Sequence, residues 1–208
     1  MKDQQEYTRD IAEIRSMMER SSKFLSLSGW AGIMAGLYAL AGAYIAYAYL
    51  NFKPDGIQYM GINSGSGAAS ILNVSALAVL VLVLAVGTAA VLSYQKAGNR
   101  GEKIWNAASR QLLVNFAVPL GTGGIVLMIL ISNGLAGLLA PFTLLFYGLA
   151  LFSAGKFTYD ELKYLGAIQI ALGLLALCFI EYSILLWGIG FGALHIAYGI
   201  YLYFKYER

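Results

Sequence analysis

Residues 68–100 read AASILNVSALAVLVLVLAVGTAAVLSYQKAGNR, with no charged side chain before Lys96 and Arg100. An uninterrupted apolar run of this length is longer than a globular core helix needs. It matches the ~20 residues that cross a hydrocarbon layer of ~30 Å as a helix. Working outward, five further runs of similar character occupy 25–50, 111–131, 135–154, 162–180 and 183–204. The sequence predicts an all-α polytopic membrane bundle of six spans, arranged as three antiparallel hairpins. The cations divide across the spans. Lys2, Arg9, Arg15, Arg20 and Lys23 precede the first, and Lys96, Arg100, Lys103 and Arg110 lie between the second and third. Lys156 and Lys163 follow the fourth, Lys205 and Arg208 follow the sixth, and Lys53 alone falls on the other side. Basic residues beside spans stay in the cytoplasm, so both termini are expected there, with the protein in the inner membrane.

Composition agrees. The chain is 59% hydrophobic and 12% charged, where a soluble domain has about 25% charged residues. Six spans use nearly all 208 residues and leave no room for a soluble catalytic domain. The net charge of +3 reflects orientation rather than a nucleic-acid surface. A single cysteine, Cys178, excludes an intrachain disulfide. The first span is too long for a signal-peptide core and reads as an uncleaved anchor. Paired carboxylates and a Ser/His/Asp set are missing, so neither enzyme chemistry nor a cofactor is expected.

Residues 1–24 form a separate unit ahead of the membrane domain at 25–208. Tyr7, Ile11, Ile14, Met18 and Leu25 make one apolar stripe at helical spacing. The charges on the other faces cancel, with Arg15–Glu19 and Glu19–Lys23 four apart. A helix lying on anionic lipid would be rich in cations. This cytoplasmic amphipathic helix is expected to dock on protein, either the chain's own loops or a second subunit. Between the first two spans, Pro54, Asp55, Gly56 and Ser64 through Gly67 mark a turn-rich connector.

Small residues line two spans, Gly32 and Gly36 on the first and Gly188, Gly192 and Gly199 on the sixth. In lipid such stripes allow close backbone contact. Packing within one subunit and a homodimer through Gly32 and Gly36 both fit. Pro119-Leu120-Gly121-Thr122-Gly123-Gly124 weakens the middle of the third span and reads as a broken helix or a kinked crossing. Four polar residues are candidates for an intramembrane site: His195, Gln169, Asn115 and Thr122. One histidine without Cys, Asp or Glu at its depth does not make a metal site.

The last hairpin turns near Tyr182, so residues equally far from that turn lie at equal depth. Gln169 then faces His195, and the glycines at Gly166, Gly173, Gly192 and Gly199 would bring the two helices together. A faint repeat also appears: Tyr147-Gly148 closes the fourth span and Tyr198-Gly199 the sixth. The stretch from Leu165 to Leu175, with Gly188 through Gly199, resembles a hairpin of the HdeD-type acid-resistance proteins, which are six-span bacterial membrane proteins. That resemblance implies a membrane role in a stress response and carries no catalytic residues. Three functions fit the sequence. The first is a non-enzymatic protein acting through a membrane partner or self-association. The second is a small-solute transporter using the third span and His195, and the third is a binder of lipid or another hydrophobic ligand.

Overall fold

The computed structural model describes residues 23–25, 27–57, 65–99 and 105–208, with the side chains of 65–70 outside the description. The amphipathic helix expected over residues 1–24 lies outside the described residues except at Lys23 and Phe24, which are not helical. Among the described residues every regular element is helical. Six helical stretches are long and apolar enough to cross a membrane: Gly29–Ala48, Ile71–Asn99, Ala107–Ser132, Ala136–Ala154, Glu161–Cys178 and Ile180–Tyr206. We label their helices α1 (Gly29–Ala48), α2 (Gly65–Asn99), α3 (Ala107–Ser132), α4 (Leu139–Ala154) and α5 (Glu161–Cys178). The sixth span is composite. It holds α6 (Ser183–Trp187), a π-helical turn over Gly188–Ala193, and α7 (Leu194–Tyr206).

The third helix runs unbroken from Ala107 to Ser132 with Pro119 inside it. Of the two readings of this span, the break does not occur. Flanking residues supply the ladder on both sides of the missing proline N–H, and Asn115 and Thr122 bond their own helix, to Gln111 O and Val118 O, each at 2.9 Å. The chain's actual irregularity is in the sixth span. Gly188, Gly190 and Gly192 lie in the π turn, where the hydrogen-bond ladder changes register.

Glycines decide which helices meet. The α4–α5 pair is close because a Cβ on Gly148 would sit 2.8 Å from Gly166 O, and one on Gly166 would sit 2.6 Å from Phe152 N. Gly173 packs on Leu145 of the same helix α4. The sixth span packs on α1 in the same way: a Cβ on Gly29 would lie 2.5 Å from Gly199 O, and one on Gly36 would lie 2.7 Å from Gly192 O. In both pairs residue numbers fall along one helix as they rise along the other, so the helices are antiparallel. The small residues expected to press the last two spans together thus serve two other interfaces. Gly166 and Gly173 face α4, and Gly192 and Gly199 face α1. Gly32 also meets Gly199, with a Cβ 3.1 Å from its Cα, so Gly32 and Gly36 form an intrachain contact rather than the free face a homodimer would need. Gly188 is looser, its nearest neighbour being Ala43 Cβ at 3.7 Å.

The two ends of the bundle differ chemically. At one end Lys23 and Lys163 both pair with Asp160, Lys96 pairs with Glu207, and Lys205 with Glu161. The strand entering α1 is stitched to the α4–α5 turn there, Phe24 N donating to Phe157 O at 2.7 Å and the Thr158 hydroxyl to Phe24 O at 2.6 Å. At the other end Asn51 adopts a left-handed conformation (φ 51°), which asparagine tolerates. That turn drops Phe52 into a core with Ala46, Ile71 and Ala136.

Candidate functional site

The buried polar centre is built where the π turn meets α4 and α5. Gln169 is fully buried and His195 is 6% exposed. Their facing nitrogens, Gln169 Nε2 and His195 Nδ1, are 3.5 Å apart. Both groups point at one acceptor. Gln169 Nε2 donates to Gly190 O at 2.8 Å, and His195 Nδ1 lies 2.9 Å from the same oxygen. A carbonyl only accepts, so Nδ1 carries the hydrogen and Nε2 is left as an acceptor. The Tyr147 hydroxyl donates to it from α4 at 2.9 Å. In the neutral imidazole these contacts select the Nδ1–H tautomer, with both nitrogens satisfied.

The equal-depth register therefore placed Gln169 opposite His195, but the bond between them is indirect. The π turn supplies the missing acceptor. Two further residues of the centre, Tyr147 and Gly190, were not singled out by residue type. Tyr147 came closest, since the repeated Tyr-Gly pair marked it. The repeat has a structural counterpart: Gly148 and Gly199 each press against a glycine of the neighbouring helix, and Tyr147 and Tyr198 both pack on the core of Leu151, Leu162 and Leu165.

Aromatic rings close the centre on one side. Phe191 stacks 5.8 Å from His195 and lies 4.8 Å from both Tyr147 and Trp187. The Trp187 indole N–H donates to Thr143 Oγ1 at 3.1 Å. Gly190 has no space to spare, because a Cβ there would lie 2.6 Å from Gln169 Oε1 and from Leu144 Cδ2. Gln169 Oε1, Ser183 Oγ and the Tyr198 hydroxyl are buried without a hydrogen-bond partner among the described residues. Asn115 and Thr122 do not join this centre. Beyond its own helix, Asn115 only accepts from Ser153 Oγ at 3.4 Å.

The ionic end of the bundle is a second constellation. Lys96 donates to Glu207 Oε1 at 2.8 Å and to Leu27 O at 2.6 Å, while Gly29 N donates to the same carboxylate at 2.7 Å. Burial raises the Glu207 pKa, but the Lys96 ammonium and the Gly29 amide outweigh it and hold the carboxyl below its ordinary value. Hydrogen bonds from Lys163 and Lys23 lower Asp160 in the same sense. Tyr159 and Tyr206 stack beside these pairs with centroids 4.3 Å apart.

No family model, curated protein or solved structure matches this chain. Its chemistry is therefore read from its own geometry.

Proposed function

We propose that this protein is a non-enzymatic multi-pass inner-membrane protein that works through contact with a second copy of itself or another membrane protein. The ion-paired end faces the cytoplasm in this reading, which follows the cation distribution. The paired spans α1–α2 and α3–α4 act as hairpins, and the amphipathic segment before residue 23 docks at that same end.

One observation carries the proposal: the chain spends its close-packing residues internally yet leaves α2 almost uncovered. The bundle centre is closed backbone to backbone at Gly29–Gly199, Gly36–Gly192 and Gly148–Gly166. Tyr147, His195 and the Gln169 amide nitrogen are turned on one another and on the Gly190 carbonyl. In contrast, α2 packs chiefly on α1, and no residue of its most apolar window is buried. Ala76, Leu80, Val83, Gly87, Ala90 and Tyr94 recur at alternating steps of four and three on its exposed surface. That spacing suits a left-handed helix crossing, and a Cβ on Gly87 would meet nothing within 4 Å.

Cysteine scanning along this seam in native membranes, on a Cys178→Ala background, tests the reading. Crosslinked dimers or heterodimers at Leu80, Gly87 and Tyr94, but not at Leu82, are expected. Uniform failure to crosslink, with single-molecule photobleaching showing monomers free of partners, would overturn it. So would solute flux through the purified protein in liposomes.

A further inference from the structure

Helices α3 and α4 touch tightly at Gly123, where a Cβ would lie 2.5 Å from Phe146 Cβ. Nearer the ionic end they meet again where Ser153 Oγ donates to Asn115 Oδ1 at 3.4 Å. A lateral groove of about 400 Å³ opens between them, lined by Pro119, Thr122, Phe146, Leu149, Phe152, Ser153 and Lys156. The two hydroxyls on its walls are already engaged, Thr122 with Val118 O and Ser153 with Asn115. What remains is apolar wall at span depth, open sideways.

The mouth is cationic. Lys23, Lys96, Lys163 and Lys205 at this end of the bundle are all ion-paired. Lys156, exposed at the groove's end, has no carboxylate partner among the described residues. Arg110, in the first turn of α3, is likewise exposed and without an ion pair among them. The Asn115–Ser153 contact sets the Arg110 end of α3 and the Lys156 end of α4 at similar depth. An apolar slot between spans that ends in a cation without a carboxylate partner among the described residues is complementary to one kind of bilayer molecule.

We propose that the α3–α4 groove is a binding site for an anionic phospholipid. One acyl chain lies against Pro119, Phe146, Leu149 and Phe152, and the phosphate meets the Lys156 ammonium with Arg110 nearby. A water-soluble ligand would have to cross the lipid to reach the slot, whereas a bilayer lipid enters it sideways. The site goes beyond the contact function proposed above and stands whether or not α2 has a partner.

Native mass spectrometry of the full chain in mild detergent tests it, with phosphatidylglycerol and phosphatidylcholine of different masses supplied in equal amounts. Phosphatidylglycerol adducts should predominate, and Lys156→Ala should cut that preference by about fivefold. Lys53→Ala, at the opposite end, should leave it unchanged. Thr122→Trp fills the slot without touching charge and should reduce adducts of both lipids. Equal binding of the two lipids by the unsubstituted chain would overturn the proposal, as would an unaltered preference in Lys156→Ala. Unchanged adducts in Thr122→Trp would show headgroup attraction alone and would also overturn it. A photocrosslinker at position 122 that captures a second copy of the chain instead of lipid would do the same.

Discussion

The Tyr147 hydroxyl sits 2.9 Å from Nε2 of His195, on the side of the ring opposite the Gly190 carbonyl. Because Nδ1 faces the Gly190 carbonyl at 2.9 Å, the Nδ1–H tautomer is the one that satisfies both contacts. Nitrogen-15 NMR of the labelled histidine should report that tautomer at neutral pH. Tyr147→Phe keeps the ring packed on Phe191 but strips Nε2 of its donor. Intramembrane hydrogen bonds are worth ~0.6 kcal/mol and at most about 1.7, so a loss in that range is expected. An Nε2–H tautomer in the unsubstituted chain would refute this network.

Gln169 and His195 share an acceptor, so losing either leaves the Gly190 carbonyl with one donor still. Gln169→Leu should therefore destabilise by only about 1 kcal/mol. Gly190→Ala is predicted to be worse, near 1–3 kcal/mol, because its methyl would strike Gln169 Oε1 and Leu144 at once. Thermal unfolding of both variants in detergent decides the order. Gln169→Leu proving the more damaging would mean that the amide bears more of the centre than its single hydrogen bond.

The spans and their shared ionic end were legible in the sequence because length and charge are properties of position along the chain. Gln169 opposite His195 was legible for the same reason: counting from the Tyr182 turn needs only the helical rise. Which face each helix turns was not. Gly166, Gly173, Gly192 and Gly199 announce that something approaches closely, but the same glycines fit any neighbour, and the neighbours proved to be α4 and α1. Tyr147 was hidden because it reaches His195 from a helix remote in sequence. Pro119 left a break and a kinked crossing both open, because three glycines beside a proline do not say whether the helix's remaining bonds persist. The π turn at Gly188–Ala193, which exposes the Gly190 carbonyl, has no residue pattern distinct from an ordinary glycine stripe.

Glycines of that stripe should differ sharply in tolerance. A Cβ on Gly199 would lie 2.5 Å from Gly29 O and 2.6 Å from Ile33 N, backbone atoms that cannot move without separating α1 from the sixth span. Gly199→Ala is expected to cost about 1–3 kcal/mol or more, by the overpacking it forces. Gly188→Ala, whose methyl would make an ordinary contact with Ala43, should be near neutral. Expression level and thermostability of the two variants, measured side by side, test the α1–α7 contact. Equal tolerance would show that these helices do not meet through Gly199.

The Glu207–Lys96 pair predicts an acid-dependent loss of stability. Both side chains are 12% exposed, and the carboxylate also accepts from Gly29 N, so the pair joins the start of α1, the end of α2 and the end of the described chain. The folded-state pKa of Glu207 is lowered from 4.5, burial opposing the shift and the Lys96 ammonium and Gly29 amide carrying it. A depressed carboxyl contributes stability that is fully present above its unfolded value and lost as pH falls through the folded one. Unfolding temperature should thus be insensitive to this pair between pH 7 and about 5 and should drop below about 4.5. Asp160 is lowered too, but it is largely exposed, and water screens its pairs with Lys23 and Lys163. Glu207→Gln keeps an acceptor for Gly29 N but removes the charge. It should cost about 1–2 kcal/mol at pH 7 and flatten the acid limb. Lys96→Met should do likewise, since it removes the cation that sets the shift. An acid limb unchanged in both variants would assign the sensitivity to other carboxylates, and the chain ends would then be held by packing instead.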